Sequence, residues 1–162
     1  MGLDLGQSQD YTALCVAERV DVPTGKARYH LRHLERFRLG TSYPAVVEWV
    51  GAMLAGPPLW GCSQLVVDGT GVGAPVVDMF RQKGLVPIAI TITGGDTVTG
   101  DGGNYRVPKR HLVSTMQVLL QAGLLKVAEE LPDATVLVQE LLNFRVKIDP
   151  LTAHDSYGAW RE

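Results

Sequence analysis

The segment Leu65-Val66-Val67-Asp68 constrains the fold more than any other part of the sequence. Three consecutive apolar residues are typical of a short strand buried on both faces, as the strands of a parallel sheet are. A glycine-rich turn, Gly69-Thr70-Gly71-Val72-Gly73, follows the strand, and a helix is predicted from about Pro75 to Gln82. We therefore expect a parallel strand that ends in an acid, at the end of the sheet where α/β proteins place their sites.

The first forty residues predict three antiparallel strands. Leu3 to Leu5 and Thr12 to Val20 are apolar enough to form two of them, with a polar turn between. The third lies between Tyr29 and Phe37, and its alternation slips once, as it does at a β-bulge. These strands come before any predicted helix.

Helical and strand-like patterns alternate along the rest of the chain. They predict helices at 44–54, 108–122 and 132–143, and strands at 86–92, 124–127 and 145–148. Segment 93–107 is rich in Gly, Thr and Asp, which indicates either a mobile loop or an exposed hairpin. The order of elements predicts an α/β fold, a mixed sheet of three antiparallel strands followed by parallel strands and covered by helices.

Length and charge limit the possible classes. The chain has 162 residues, which corresponds to one domain, and a formal charge of -2, so any contact with nucleic acid must come from local basic patches. No apolar run reaches the roughly 18 residues of a membrane span. Cys15 and Cys62 lack a second close pair, which argues against zinc and favours a reducing cytosolic compartment.

Two acids stand out because each ends or interrupts an apolar strand. Asp4 lies between Leu3 and Leu5, and either caps the following turn through the N–H groups of Gly6 or Gln7 or is a metal ligand. Asp68 ends the predicted parallel strand. If the two strands are neighbours, the carboxylates meet within a few ångströms, and Mg²⁺ or Mn²⁺ would relieve their repulsion.

The glycines after Asp68 do not predict a dinucleotide site. Their spacing is G-x-G-x-G, whereas the dinucleotide fingerprint is G-x-G-x-x-G. We interpret them as residues that let the backbone turn sharply away from Asp68 and leave the space over its carboxylate open.

Basic residues predict the contacts with DNA. Arg106, Lys109 and Arg110 flank a glycine-rich segment and the start of a helix, where phosphate binds readily, so we expect them to contact the DNA backbone. Segment 93–107 either lies along DNA or is a disordered loop. A second basic cluster along the third strand is either a solvated face or a further DNA contact; it comprises Lys26, Arg28, Arg32, Arg36 and Arg38, with His30 and His33.

Three motifs, in this order, resemble the nuclease domain of phage terminase large subunits: Gly2-Leu3-Asp4-Leu5-Gly6 with Asp10-Tyr11-Thr12-Ala13, then Val67-Asp68-Gly69-Thr70-Gly71-Val72-Gly73, then Val107-Pro108-Lys109-Arg110. The resemblance spans nearly the whole chain. It implies a ribonuclease H-like fold with helices on both faces of the sheet. It also implies an acidic triad that holds two divalent ions and cuts concatemeric double-stranded DNA during genome packaging.

The resemblance also assigns roles and partners. Asp4 matches the first-strand carboxylate and Asp68 the carboxylate that ends the parallel strand, so both are implied to be catalytic metal ligands. The implied partners are double-stranded DNA and, in the parent protein, an ATPase domain and a portal. The implied location is the cytoplasm of the host cell, with a phage or prophage gene as the source.

The third acid of the triad is where the sequence departs from the family. In the family it comes from a His-Asp-Asp segment that opens a last helix. Here His154-Asp155-Ser156 has a superficial likeness, but the following Tyr157-Gly158-Ala159-Trp160 predicts no amphipathic helix. Either Asp155 is the third ligand, or the chain is an excised fragment of a single domain that stops just short of that helix. We favour the second, which predicts weak or single-ion binding and leaves the activity of this fragment open.

Two other functions stay open. Asp4-Leu5-Gly6-Gln7-Ser8 also resembles the first phosphate loop of the actin, sugar-kinase and heat-shock ATPase group, although those enzymes need two such subdomains. A non-enzymatic docking domain with inert acids is the other alternative. We expect the three tryptophans, Trp49, Trp60 and Trp160, to belong to the core.

Overall fold

The structure is a computed structural model that describes residues 1–6, 10–23, 25–148 and 155–159, with residues 145–148 and 155–159 described by their backbone only. The described elements, in chain order, are β1 Gly2–Asp4, β2 Ala13–Val20, β3 Arg28–Arg36, α1 Tyr43–Ala55, β4 Val66–Asp68, α2 Gly73–Gln82, β5 Ile88–Thr93, β6 Thr99–Asp101, β7 Asn104–Pro108, α3 Lys109–Gln121, β8 Leu125–Val127, α4 Ala134–Leu142, β9 Phe144–Ile148 and β10 Asp155–Ala159. No helix among these is long and apolar enough to cross a bilayer.

Eight strands form one mixed sheet in the order β6-β7-β5-β4-β1-β2-β3-β8. The β1, β2 and β3 strands are antiparallel neighbours, whereas β4, β5 and β7 run parallel to β1. The β9 and β10 strands pair with each other in a separate two-stranded sheet. The predicted order of three antiparallel strands followed by parallel strands is confirmed.

One face of the sheet is buried beneath α1 and α2. Leu3, Leu14 and Val67 point towards these helices from three neighbouring strands. The helices contribute the residues that recur at helical spacing: Val46, Val47, Val50 and Leu54 from α1, and Val76, Val77 and Phe80 from α2. Each such side chain contributes roughly 1.5 to 3 kcal/mol when it is removed from water, so this layer fixes the positions of β1 and β4.

The other face of the sheet carries the acids. Successive side chains alternate between faces, so Asp4 and Asp68, which follow Leu3 and Val67, lie on the face opposite the α1–α2 layer. The β7–α3–β8 connection crosses the sheet in the opposite direction to α1 and α2, and a right-handed crossover therefore places α3 on the face of the acids. The mixed sheet with helices is confirmed, and the crossover rule predicts that the helices cover both faces.

A contact between residues far apart in sequence ties α4 to this face. Arg36 donates to both carboxylate oxygens of Asp133, at 3.2 and 3.4 Å, and its guanidinium lies 4.9 Å from the centre of the Tyr11 ring. Asp133 precedes α4 with a φ of 60°, a left-handed conformation that Asp tolerates better than most residues.

The structure settles the open local predictions. The slip in the third strand is a β-bulge in which Arg32 is the extra residue, because His33 and Leu31 pair with the consecutive residues Val16 and Ala17. Segment 93–107 contains a hairpin in which β6 and β7 are antiparallel, and β7 also runs parallel to β5. The segment is therefore not an unstructured loop.

Several side chains predicted to be in the core are not there. Trp49 is 51% exposed and Trp60 is 77% exposed, and Trp160 lies outside the described residues. The apolar face of α3 is also accessible, since Leu112 and Met116 are each more than a third exposed. Helical periodicity identified the apolar side of α3 but could not show what, if anything, packs on it.

Candidate metal centre

Asp4 and Asp68 lie side by side at the end of the sheet where the parallel strands end, here called the carboxyl end. Leu3 pairs with Val67 in the parallel β1–β4 ladder, so the next residues, Asp4 and Asp68, are neighbours. Adjacent strands lie about 4.8 Å apart, and both side chains point to the same face. The structure therefore brings together the two acids that the sequence predicted as metal ligands.

The glycine-rich turn after β4 holds Asp68 in place. The backbone N–H of Thr70 donates to Asp68 Oδ1 at 2.8 Å, and the Thr70 hydroxyl accepts from the N–H of Ile92 at 2.9 Å. The N–H of Gly69 donates to the carbonyl of Ile90 at 2.7 Å. The turn is thereby fastened to β5, and one oxygen of Asp68 has a fixed direction.

Asp4 does not cap the N–H of Gly6. That N–H donates instead to the Thr12 hydroxyl at 3.2 Å, and the Gly6 carbonyl accepts from the Tyr43 hydroxyl at 3.0 Å. Gly6 is therefore held by Thr12 and by Tyr43 of α1, and the Asp4 carboxylate takes no part in these two bonds. Gln7, the other proposed partner, lies outside the described residues.

Asp4 and Asp68 lie close enough for their negative charges to repel each other. Desolvation by the surrounding protein raises the pKa of Asp4, and the negative charge of Asp68 raises it further. A hydrogen bond from the N–H of Leu5 acts in the opposite direction, and Asp10 adds to the rise. Sequence reasoning missed the interaction with Asp10, which lies three residues before β2. Repulsion between two adjacent carboxylates is the condition that a bound divalent cation relieves.

The raised pKa of Asp4 predicts a specific pH dependence of stability. The folded state holds the proton of the Asp4 carboxyl group more tightly than the unfolded chain does. The metal-free protein therefore loses stability as the pH rises from 3.8, the ordinary pKa of Asp, through the raised pKa of Asp4. At pH values above the raised pKa, the loss of folding free energy caused by Asp4 is constant. We expect Asp4→Asn to become progressively more stable than the wild type over this pH window, measured by urea unfolding in EDTA. A stability difference that shrinks with rising pH would contradict the prediction.

No third ligand completes the pair within the described residues, which contain no group of three or more His, Cys, Asp or Glu side chains able to hold one ion. The backbone of Asp155 begins β10 and pairs with Ile148 of β9, but its side chain lies outside what the structure describes. That Asp155 is the third metal ligand stays a prediction, and so does the alternative that the chain lacks the third acid.

The structure distributes the three predicted DNA-binding residues differently. Lys109 and Arg110 begin α3 directly after β7, at the carboxyl end of the sheet, where Asp4 and Asp68 also lie. Arg110 pairs with Asp96, which offsets part of its charge. Arg106 pairs with Thr91 in the β5–β7 ladder, one position beyond Tyr105, so its side chain lies on the face opposite the acids.

Sequence reasoning missed Tyr105 on the face of the acids. Tyr105 is in register with Ile90, and Ile90 with Asp68, which places Tyr105 about 10 Å from Asp68 across two strand spacings. The aromatic ring is 37% exposed. The only signal in the sequence was its place next to Arg106 in an otherwise polar hairpin.

Comparison of the sequence with known proteins identifies a family. The sequence model of the terminase RNaseH-like domain family matches residues 1–155. No curated protein and no solved structure matches the chain. The match covers β1, β4 and the glycine-rich turn, which are the parts of the chain that place Asp4 and Asp68.

Proposed function

The chain belongs to the terminase RNaseH-like domain family, and we propose from that premise that it is a metal-dependent endonuclease domain that cuts concatemeric double-stranded DNA during packaging. The observation that supports this most directly is the parallel β1–β4 pairing, which sets Asp4 beside Asp68 at an open end of the sheet. Phage or prophage origin, host cytoplasm, and an ATPase domain and portal as partners belong to the same proposal.

The donor set fits a hard divalent cation such as Mg²⁺ or Mn²⁺. Asp4 and Asp68 offer carboxylate oxygens, the ligands that these ions prefer, and their mutual repulsion disfavours the pair without a cation. When bound, such ions supply the chemistry of phosphodiester hydrolysis, an activated water and a stabilised leaving oxygen. The hydrogen bond from Thr70 orients Asp68 for this role before any ion arrives.

DNA would reach the acids from the carboxyl end of the sheet. Tyr105 of β7 is level with Asp68, two strands away, and Lys109 lies four residues further along the chain. The backbone of Lys109 is therefore roughly 15 Å from that of Asp68. A lysine and an arginine at this distance suit contacts with phosphates that flank the one being cut. We propose these contacts for Lys109 and Arg110, whereas Arg106, which lies on the other face, would need DNA to wrap around the β6–β7 hairpin.

Plasmid cleavage and thermal melting test the proposal together. We expect the protein to nick or linearise plasmid DNA in Mn²⁺ and not in EDTA. We also expect Mn²⁺ at about ten times its Kd to raise the Tm by roughly 3 to 6 °C. Because one acid of the triad is not accounted for, Mn²⁺ should bind weakly or at one site, and a titration with two tight sites would contradict that.

The same melts separate the nuclease from its main rival. A phosphotransferase of the actin and sugar-kinase group would be stabilised by ATP, whereas a nuclease domain should respond to Mn²⁺ and DNA and little to ATP. A rise in Tm with ATP that exceeds the rise with Mn²⁺ alone would contradict the nuclease proposal.

A further inference from the structure

A groove lies at the carboxyl end of the sheet, beside the start of α1. A cavity of about 330 Å³ is lined on one side by Gly6, Asp10 and Thr12 and on the other by residues 38–44. A second cavity, of about 360 Å³, is lined by residues 35–38 and by α1 as far as Trp49. Arg38 and Thr41 line both cavities, so the two adjoin, with the second on the side of α1. Together they are here called the Arg38 groove.

Most of the charges in this groove are already paired. Arg36 is held by Asp133 and packs on Tyr11. The Glu35 carboxylate makes contacts of 3.2 Å with Trp49 Nε1, which donates to it, and 3.1 Å with His33 Nε2. Asp133 therefore offsets the charge of Arg36, and Trp49 and His33 hold the Glu35 carboxylate in place.

Arg38 differs from its neighbours. In the part of the chain that the structure describes, no carboxylate lies within ion-pair distance of the Arg38 guanidinium, and the side chain is exposed. The Ser42 hydroxyl, on the same wall, caps no N–H of α1. The groove thus offers a long cationic side chain and a hydroxyl to a ligand that has negative charge and hydrogen-bond acceptors.

The position of Arg38 relates the groove to the acids. Arg36 pairs with Ala13, and Ala13 pairs with Asp4, so Arg36 is level with Asp4 across two strand spacings. Arg38 lies two residues further towards the carboxyl end, and its backbone is therefore about 12 Å from that of Asp4. This distance corresponds to roughly three to four base pairs of DNA at 3.4 Å each. Lys109 lies on the opposite side of the acid pair.

We propose that the Arg38 groove binds the phosphodiester backbone of double-stranded DNA on the side of the metal centre away from Lys109, with the Arg38 guanidinium on a backbone phosphate. The inference rests on the proposed function, and it adds the direction in which the substrate lies. A duplex laid along the carboxyl end of the sheet meets Lys109, then the acid pair, then Arg38. Asp10 lies at the inner end of the groove, next to Asp4, so the phosphate contact is placed at Arg38 and not at that end.

Binding of a fluorescent duplex of about 30 base pairs, measured in EDTA over a series of salt concentrations, tests the proposal without any cleavage. We expect Arg38→Ala to weaken binding roughly five- to tenfold near 0.1 M salt and to reduce the slope of log affinity against log salt by about 0.9, the loss of one phosphate contact. Arg38→Lys keeps the charge and should restore most of the slope.

Arg19→Ala is the matched control, because Arg19 is an exposed arginine of the same sheet, near the opposite end of the strands, where it pairs with Asp21. It should leave the slope unchanged. An unchanged slope in Arg38→Ala, or an equal loss in Arg19→Ala, overturns the groove while the nuclease proposal stands. A wild-type chain that neither binds the duplex in EDTA nor cuts plasmid in Mn²⁺ overturns both.

Discussion

Asp68→Asn should reduce the cleavage of plasmid DNA in Mn²⁺ by at least about 100-fold and remove the Mn²⁺-dependent rise in Tm. The substitution keeps the shape of the side chain and an oxygen that can still accept from the N–H of Thr70. It removes the negative charge that a hard cation requires, and transition-state stabilisation by such a cation is worth several kcal/mol, of which each 1.36 kcal/mol is a factor of ten in rate. Asp4→Asn should act in the same direction.

Loss of activity in these variants should not come from unfolding. Since Asp68 raises the pKa of Asp4 by repulsion, removing either charge relieves a destabilising interaction in the metal-free protein. We therefore expect Asp68→Asn to be at least as stable as the wild type in EDTA, measured by urea unfolding. Asp21→Asn, a change of the same chemistry at an exposed carboxylate, should cleave DNA and bind Mn²⁺ normally.

The outcome also decides between an enzyme and a docking domain. If Asp68→Asn cuts DNA and responds to Mn²⁺ as the wild type does, the acid pair is not the metal centre. A protein that never cuts DNA and never responds to Mn²⁺, with or without the substitution, would instead favour the docking alternative.

Local sequence patterns placed each acid on a strand, and the pairing of the acids was predicted on the condition that the two strands are neighbours. An apolar strand that ends in an acid and is followed by glycines has few places in a fold other than the carboxyl end of a parallel sheet. The predicted Asp4–Asp68 contact required only that β1 and β4 be neighbours, which the parallel ladder confirms. The bulge in β3 was visible for the same reason, as a break in strict alternation.

Features that depend on distant parts of the chain could not be predicted. The Arg36–Asp133 pair joins residues 97 positions apart, and nothing in either local sequence indicates it. Trp49 was expected in the core because tryptophan is large and apolar, but Glu35 provides a hydrogen-bond partner at the surface and the ring stays half exposed. The Arg38 groove depends on the same kind of contact, between the end of β3 and the turn after β1.

The glycines after Asp68 give the second large expected effect. A Cβ on Gly73 would overlap the carbonyl oxygen of Asp68, and the backbone cannot accommodate it without moving. We expect Gly73→Ala to lower the free energy of unfolding by about 2 kcal/mol or more, because α2 must separate from the end of β4. Since Asp68 is part of the contact, the substitution should also weaken Mn²⁺ binding.

Two neighbouring glycines provide controls for Gly73→Ala. Gly69 has ordinary contacts, the nearest at 3.7 Å, so Gly69→Ala should change stability little. Gly71 has a φ of +62° and open space around it, so Gly71→Ala should cost about 1 kcal/mol of backbone strain without moving Asp68. Urea unfolding and Mn²⁺ titration of the three variants therefore separate close packing from backbone conformation. Gly73→Ala and Gly69→Ala could instead give the same stability and the same Mn²⁺ affinity. That result would show that the close approach of α2 to β4 does not position the Asp68 carboxylate, and the glycine spacing would need another physical reason.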